Sequence, residues 1–113
     1  MDTRLKIVSD SFGNTISLEI NDLKVSVEES DGEWILFSPH FKTIGYSKVS
    51  EEDAINDLKS ALDTFFQVHS ELGTLEEALR NLGWKKSDNT FKKPKLFNSP
   101  VFNPSMSRVL AYA

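Results

Sequence analysis

At 113 residues the chain has the size of one domain, and its lack of cysteine excludes a disulfide framework, a thiolate nucleophile and any Cys-based metal site. Hydrophobic residues at 39% and charged residues at 27% match ordinary globular usage and exclude wholesale disorder. The net charge of −4 hides an asymmetry: residues 1–83 carry seven Lys and Arg against 16 Asp and Glu, whereas residues 84–113 carry six basic residues against Asp88 alone. An acidic body repels phosphate backbones and attracts basic proteins, so a basic protein is the expected partner and nucleic acid is not.

In chain order, Leu5 to Val8 and Thr15 to Ile20 are short β-favouring runs around Asp10-Ser11-Phe12-Gly13-Asn14, which predicts an N-terminal hairpin. Leu23 to Glu28 alternates at the strand period, and Ser30-Asp31-Gly32-Glu33 has the chemistry of a tight turn into Trp34-Ile35-Leu36-Phe37. The unbroken apolar run there predicts a central strand covered on both faces and closed by Pro39, with Phe41 to Ser47 as the next strand.

From Ser50 the period changes. Ala54, Ile55, Leu58, Ala61, Leu62, Phe65, Phe66 and His69 fall at three- and four-residue steps and predict an amphipathic helix. Ser50 is its expected N-cap, with Asp53 completing a capping-box-like pair, and Gly73 its stop. Thr74 with Glu77 predicts a second capping box, Leu75, Ala78, Leu79 and Leu82 a second apolar stripe, and Gly83 its C′ residue. Beyond Trp84, Pro94, Pro100 and Pro104 exclude a long helix, while Ser107 to Tyr112 is β-compatible and could return to a sheet edge. The expected organisation is one α+β domain over residues 1–84 followed by a basic extension over 85–113.

Asp31-Gly32-Glu33-Trp34, Ser38-Pro39, Gly45-Tyr46-Ser47 and Ser50-Glu51-Glu52-Asp53-Ala54, continued by Asp57, Leu58, Ala61 and Leu62, resemble a HicB-type antitoxin domain over roughly a third of the chain. Between Ser47 and Ser50 the family's Gly-Asp-Thr is replaced by Lys48-Val49-Ser50. The resemblance implies a truncated ribonuclease H-like fold: an antiparallel sheet of three to five strands, one long helix packed on a face, a short second helix, and a post-helical strand at the sheet edge. It also implies a function, namely binding and occluding a small basic mRNA-cleaving ribonuclease toxin in the cytoplasm, with no catalysis and no cofactor. The expected contacts are Tyr46, Lys48, Glu51 and Glu52.

Other chemistry is poorly supported by the residues present. His40 and His69 are isolated, and the carboxylates at Glu28-Glu29 and Glu51-Glu52-Asp53 suit turns and caps better than a two-metal hydrolytic site. Trp34, Phe37, Phe65 and Phe66 are expected in the core rather than as interface anchors. No stretch approaches the apolar length of a membrane span. The alternatives are an orphan homo-oligomeric interaction domain, dimeric or larger, and single-strand nucleic-acid binding by Lys85, Lys86, Lys92, Lys93 and Lys95 with Phe91 and Phe97 for stacking. The family's appended DNA-binding domain is not expected among residues 85–113, which Pro94, Pro100 and Pro104 punctuate.

Overall fold

A computed structural model of the chain describes residues 5–20, 22–94 and 107–111. Two strands, β1 (Leu5–Ser9) and β2 (Thr15–Glu19), form the expected hairpin, with Leu5 opposite Glu19 and Ser9 opposite Thr15. Its loop is held by the Asp10 carboxylate, which accepts from the backbone N–H groups of Phe12 and Asn14 at 2.9 and 2.8 Å. Then β3 (Asp22–Ser30) and β4 (Glu33–Ser38) are joined by Asp31 and Gly32, both at positive φ (53° and 79°), the conformation a two-residue hairpin turn requires. Next, β5 (Thr43–Ser47) pairs with β4 and leads into the long helix α1 (Glu51–Leu72) and the short helix α2 (Leu75–Asn81). The chain ends with β6 (Lys85–Ser87), β7 (Thr90–Lys92) and β8 (Ser107–Ala111).

The fold is α+β, as expected, with a four-stranded antiparallel sheet in the order β5-β4-β3-β8 and α1 packed on one face. A second four-stranded sheet, β1-β2-β7-β6, stands beside the predicted one. It is closed by a parallel pairing of β2 with β7, in which Leu18 faces Phe91. Residues after Trp84 therefore supply strands to both sheets. The β6–β7 hairpin turns on Asp88 and Asn89, at φ 51° and 68°, a two-residue turn of the same kind as Asp31-Gly32.

The apolar faces converge on one core. Leu18 and Ile20 from the first sheet, Leu23, Val25 and Leu36 from the second, and Leu58, Leu62, Leu75, Leu79 and Trp84 from the helical side are all buried there. Complete burial of each such side chain is worth roughly 1.5–3 kcal/mol. Phe41 sits among aromatic neighbours, its ring centroid 5.1 Å from Trp84 and 5.5 Å from Phe66. On the rim, the Lys6 ammonium lies 4.7 Å from the Phe66 ring centroid and 3.6 Å from an Asp63 oxygen.

Helix α1 has the predicted N-cap and stop, but the capping-box pair is only half made, because the Ser50 N–H donates to Ser47 Oγ and the Asp53 carboxylate accepts from Ser47 instead. Ser50 accepts from the Asp53 N–H at 3.1 Å, and Gly73 adopts φ 70° while its N–H and that of Thr74 return to the last turn. At the second helix the expectation fails: Thr74 makes no side-chain cap bond, because its hydroxyl pairs with His69 Nδ1 at 2.8 Å. Among the described residues no helix is long and apolar enough to cross a membrane.

The expectation for Trp34 to Phe37 also needs correction. Only one face of β4 is covered: Leu36 and Ser38 point into the core with Trp34 partly buried beside them, while Ile35 and Phe37 lie on the opposite face. Helices α1 and α2 both contribute to the core on a single side; on the other, Ile35 is exposed and Phe37 half-buried.

Candidate interface at the β4–β5 face and the β5–α1 corner

The close approach of β5 to α1 begins with Gly45. A methyl group there would fall within 2.7 Å of Leu58 N and Leu58 Cβ, so only a residue without a side chain lets strand and helix meet. The neighbouring Tyr46 N–H is directed at the helix and donates to Asp57 Oδ2 at 2.9 Å. Thus α1 supplies an acceptor to a backbone donor that an edge strand would otherwise leave open.

The turn that follows is held by two serines. Ser47, buried, donates to Asp53 Oδ2 at 3.3 Å and accepts from the N–H groups of Val49 and Ser50 at 2.9 and 3.4 Å. With Ser50 capping the helix, the backbone from Ser47 to Asp53 is fixed while the side chains of Lys48, Val49 and Glu52 project outward. Val49 is 79% exposed. Glu51 is half-buried beside them, on the first turn of α1, where a carboxylate also complements the helix dipole.

Tyr46 itself belongs to the outer sheet face. There Ile35 stands opposite Tyr46, and Phe37 opposite Ile44, across the β4–β5 ladder. Ile44 is 57% exposed, Tyr46 39% and Ile35 36%. The Tyr46 phenol is pushed above its usual pKa by partial desolvation, by its hydrogen bond to Glu33 and by that carboxylate's charge, so it is protonated at neutral pH. Four apolar or aromatic side chains thus share a contiguous surface, with Glu28 and Glu33 at its margins. A contiguous exposed apolar patch rimmed by charge marks an interaction surface more specifically than scattered apolar residues do.

The four expected contacts therefore fall into two adjoining groups. Tyr46 lies on the apolar outer face, and Lys48, Glu51 and Glu52 lie on the turn and first helical turn that follow it. Ile35, Phe37 and Ile44 were not among the expected contacts, because Phe37 reads as core when its strand is taken to be covered on both faces. The period-two offset of Ile35 and Phe37 from Leu36, matched by Ile44 and Tyr46 around Gly45, is the signal that separates them.

The remaining candidates are dispersed. His40 is buried, and its carbonyl accepts from Trp84 Nε1 at 2.9 Å. Burial, with help from the charges of Lys93 and Lys24, lowers its pKa to about 4, leaving the imidazole neutral over the physiological range. His69 is engaged with Thr74. Among the described residues no three His, Asp or Glu side chains gather as a metal cage. Lys85, Lys86 and Lys92 lie on the β6–β7 hairpin with Lys93 just after it, whereas Lys95 and Phe97 lie outside the described residues. Phe91 is 1% exposed and so cannot stack on a base. Comparison with protein-family models, curated proteins and solved structures finds no match to this chain.

Proposed function

We propose that this chain is a HicB-like antitoxin module that binds a small basic ribonuclease and blocks its active site by occupying it, with no chemistry of its own. The observation that carries this proposal is the outer sheet face on which Ile35, Ile44 and Tyr46 are exposed and Phe37 is half-buried, beside an acidic corner. Apolar and aromatic side chains at the centre of an interface supply most of its affinity, and a rim of carboxylates such as Glu28, Glu33, Glu51 and Glu52 selects a basic partner and speeds its encounter. A further support is the order of elements: three antiparallel strands β3, β4 and β5, then α1, then β8 back at the β3 edge, is the succession the sequence resemblance implies.

Co-expression with the protein encoded beside this gene tests the proposal. The expected result is a complex that survives purification and relieves growth arrest caused by the neighbour alone. Ile44→Asp and Tyr46→Ala should abolish both effects while leaving the unfolding midpoint of the isolated chain nearly unchanged, since exposed substitutions usually cost less than about 0.5 kcal/mol. A neighbour that is neither toxic nor bound would refute the antitoxin function. A complex indifferent to both substitutions would refute the assigned face.

A further inference from the structure

We propose that the β6–β7 hairpin binds a small, multiply phosphorylated anion in the lysine-lined cleft on its flank. Lys85, Lys86, Lys92, Lys93 and Ser87 line a concavity of about 740 Å³, a size ordinary for small-ligand sites. Its remaining walls are Gly83 and Pro94, and they are in close apposition: a methyl group on Gly83 would come within 3.3 Å of Pro94 Cβ. No carboxylate is among the described residues that line it.

The arrangement is costly for the fold alone. Lys85 stands directly opposite Lys92 in a hairpin whose strands are three residues long, and like charges at that position destabilise the pair. Lys86 is partly neutralised by Glu76 at 3.7 Å, but among the described residues neither Lys85 nor Lys92 has an ion-pair partner. The positive field also reaches inward, since Lys93 is one of the charges that disfavour protonation of His40. Four of the chain's 13 Lys and Arg, namely Lys85, Lys86, Lys92 and Lys93, fall within residues 85–93, where Asp88 is the one acidic residue.

The donor set defines the ligand class. Strand alternation sends Lys85, Ser87 and Lys92 to one face of the hairpin and Lys86, paired with Glu76, to the Phe91 face, so the first three form the core of that set. Each ammonium offers three donors and no acceptor, and the Ser87 hydroxyl can add another, so the occupant must present several acceptors and more than one negative charge. A chain of phosphates meets that requirement, with each lysine acting as a point charge. A nucleic acid strand fits less well. The one described aromatic of this segment, Phe91, is buried under the hairpin and offers no stacking platform, and the acidic body opposes a long polyanion.

Calorimetric titration of the full chain with inorganic triphosphate tests the site. The expected result is saturable one-to-one binding, weakened at least tenfold by Lys85→Gln with Lys92→Gln, weakened also by Lys93→Gln alone, and unchanged by Lys59→Gln on α1. Unfolding midpoints of the variants, measured alongside, should show the hairpin substitutions leaving the fold intact. Equal binding of nucleoside triphosphates would assign recognition to the phosphate chain itself. Absence of saturable binding, loss of affinity in Lys59→Gln of the same size, or binding of a short single-stranded oligonucleotide in place of triphosphate would each overturn the proposal.

Discussion

Replacing Gly45 by alanine should be among the most damaging single-methyl changes available to this chain. The added Cβ would meet Ala54 O, Leu58 Cβ and Leu58 N, the last two at 2.6 and 2.7 Å. Ala54 O and Leu58 N are separated by one helical step of four and are the two groups that pair in the backbone ladder of α1. Neither can swing aside as a flexible side chain would, so relief requires β5 and α1 to separate along the seam that holds Ala54 and Leu58 in the core. Overpacking a core by a methylene costs about 1–3 kcal/mol, and contact with helix backbone places this change at the upper end, about 3 kcal/mol. For a domain of this size that lowers the unfolding midpoint by roughly 15 °C. Gly32→Ala is the comparison, because a Cβ there meets nothing within 4 Å and the penalty is only conformational, at φ 79°. It should cost about 1 kcal/mol. Guanidinium unfolding followed by the fluorescence of buried Trp84 measures both. If Gly45→Ala lost no more stability than Gly32→Ala, the tight seam between strand and helix would be refuted.

His40 makes stability depend on pH. Its folded pKa of about 4 lies below the ordinary value of 6.5, so the folded state favours the neutral ring. The contribution is therefore fully present above about pH 6.5 and is lost progressively as pH falls towards 4, to a limit of about 3 kcal/mol. Among the described residues its Nδ1 meets no hydrogen-bond partner, so His40→Leu should flatten this part of the pH–stability curve, and an unchanged slope would exclude His40 as its source. The two helix starts should respond differently to alanine. Ser50→Ala removes a cap bond and should cost about 1 kcal/mol, whereas Thr74→Ala removes no cap and should act only through the lost His69 contact. Equal loss of α1 and α2 capping energy in urea titrations would contradict the geometry.

Much of the candidate interface was legible in residue order. Tyr46, Lys48, Glu51 and Glu52 are exposed or half-exposed around the strand-to-helix transition that Gly45, Ser47 and Ser50 mark in the sequence. The outer-face residues were less legible because a run such as Trp34-Ile35-Leu36-Phe37 has the same composition whether one side of its strand is covered or both. The β6–β7 hairpin was missed for a different reason: its strands are too short to show a period, and its only strong signal is the Asp88-Asn89 turn.

By itself the sequence determined the local elements whose causes are local. The Asp31-Gly32 turn, the amphipathic period of α1, the Ser50 cap and the Gly73 stop each follow from backbone conformation or from hydrogen bonds spanning at most four residues. It also determined the charge asymmetry that favours a basic partner. Only the tertiary structure decided which face of β4 is covered, that β2 and β7 pair in parallel from either end of the chain, and that Gly45 is the point where β5 touches α1. Those outcomes depend on how much apolar surface each helix can cover once the strands are assembled. That quantity arises from contacts between residues far apart in the chain, and no short window of sequence contains it.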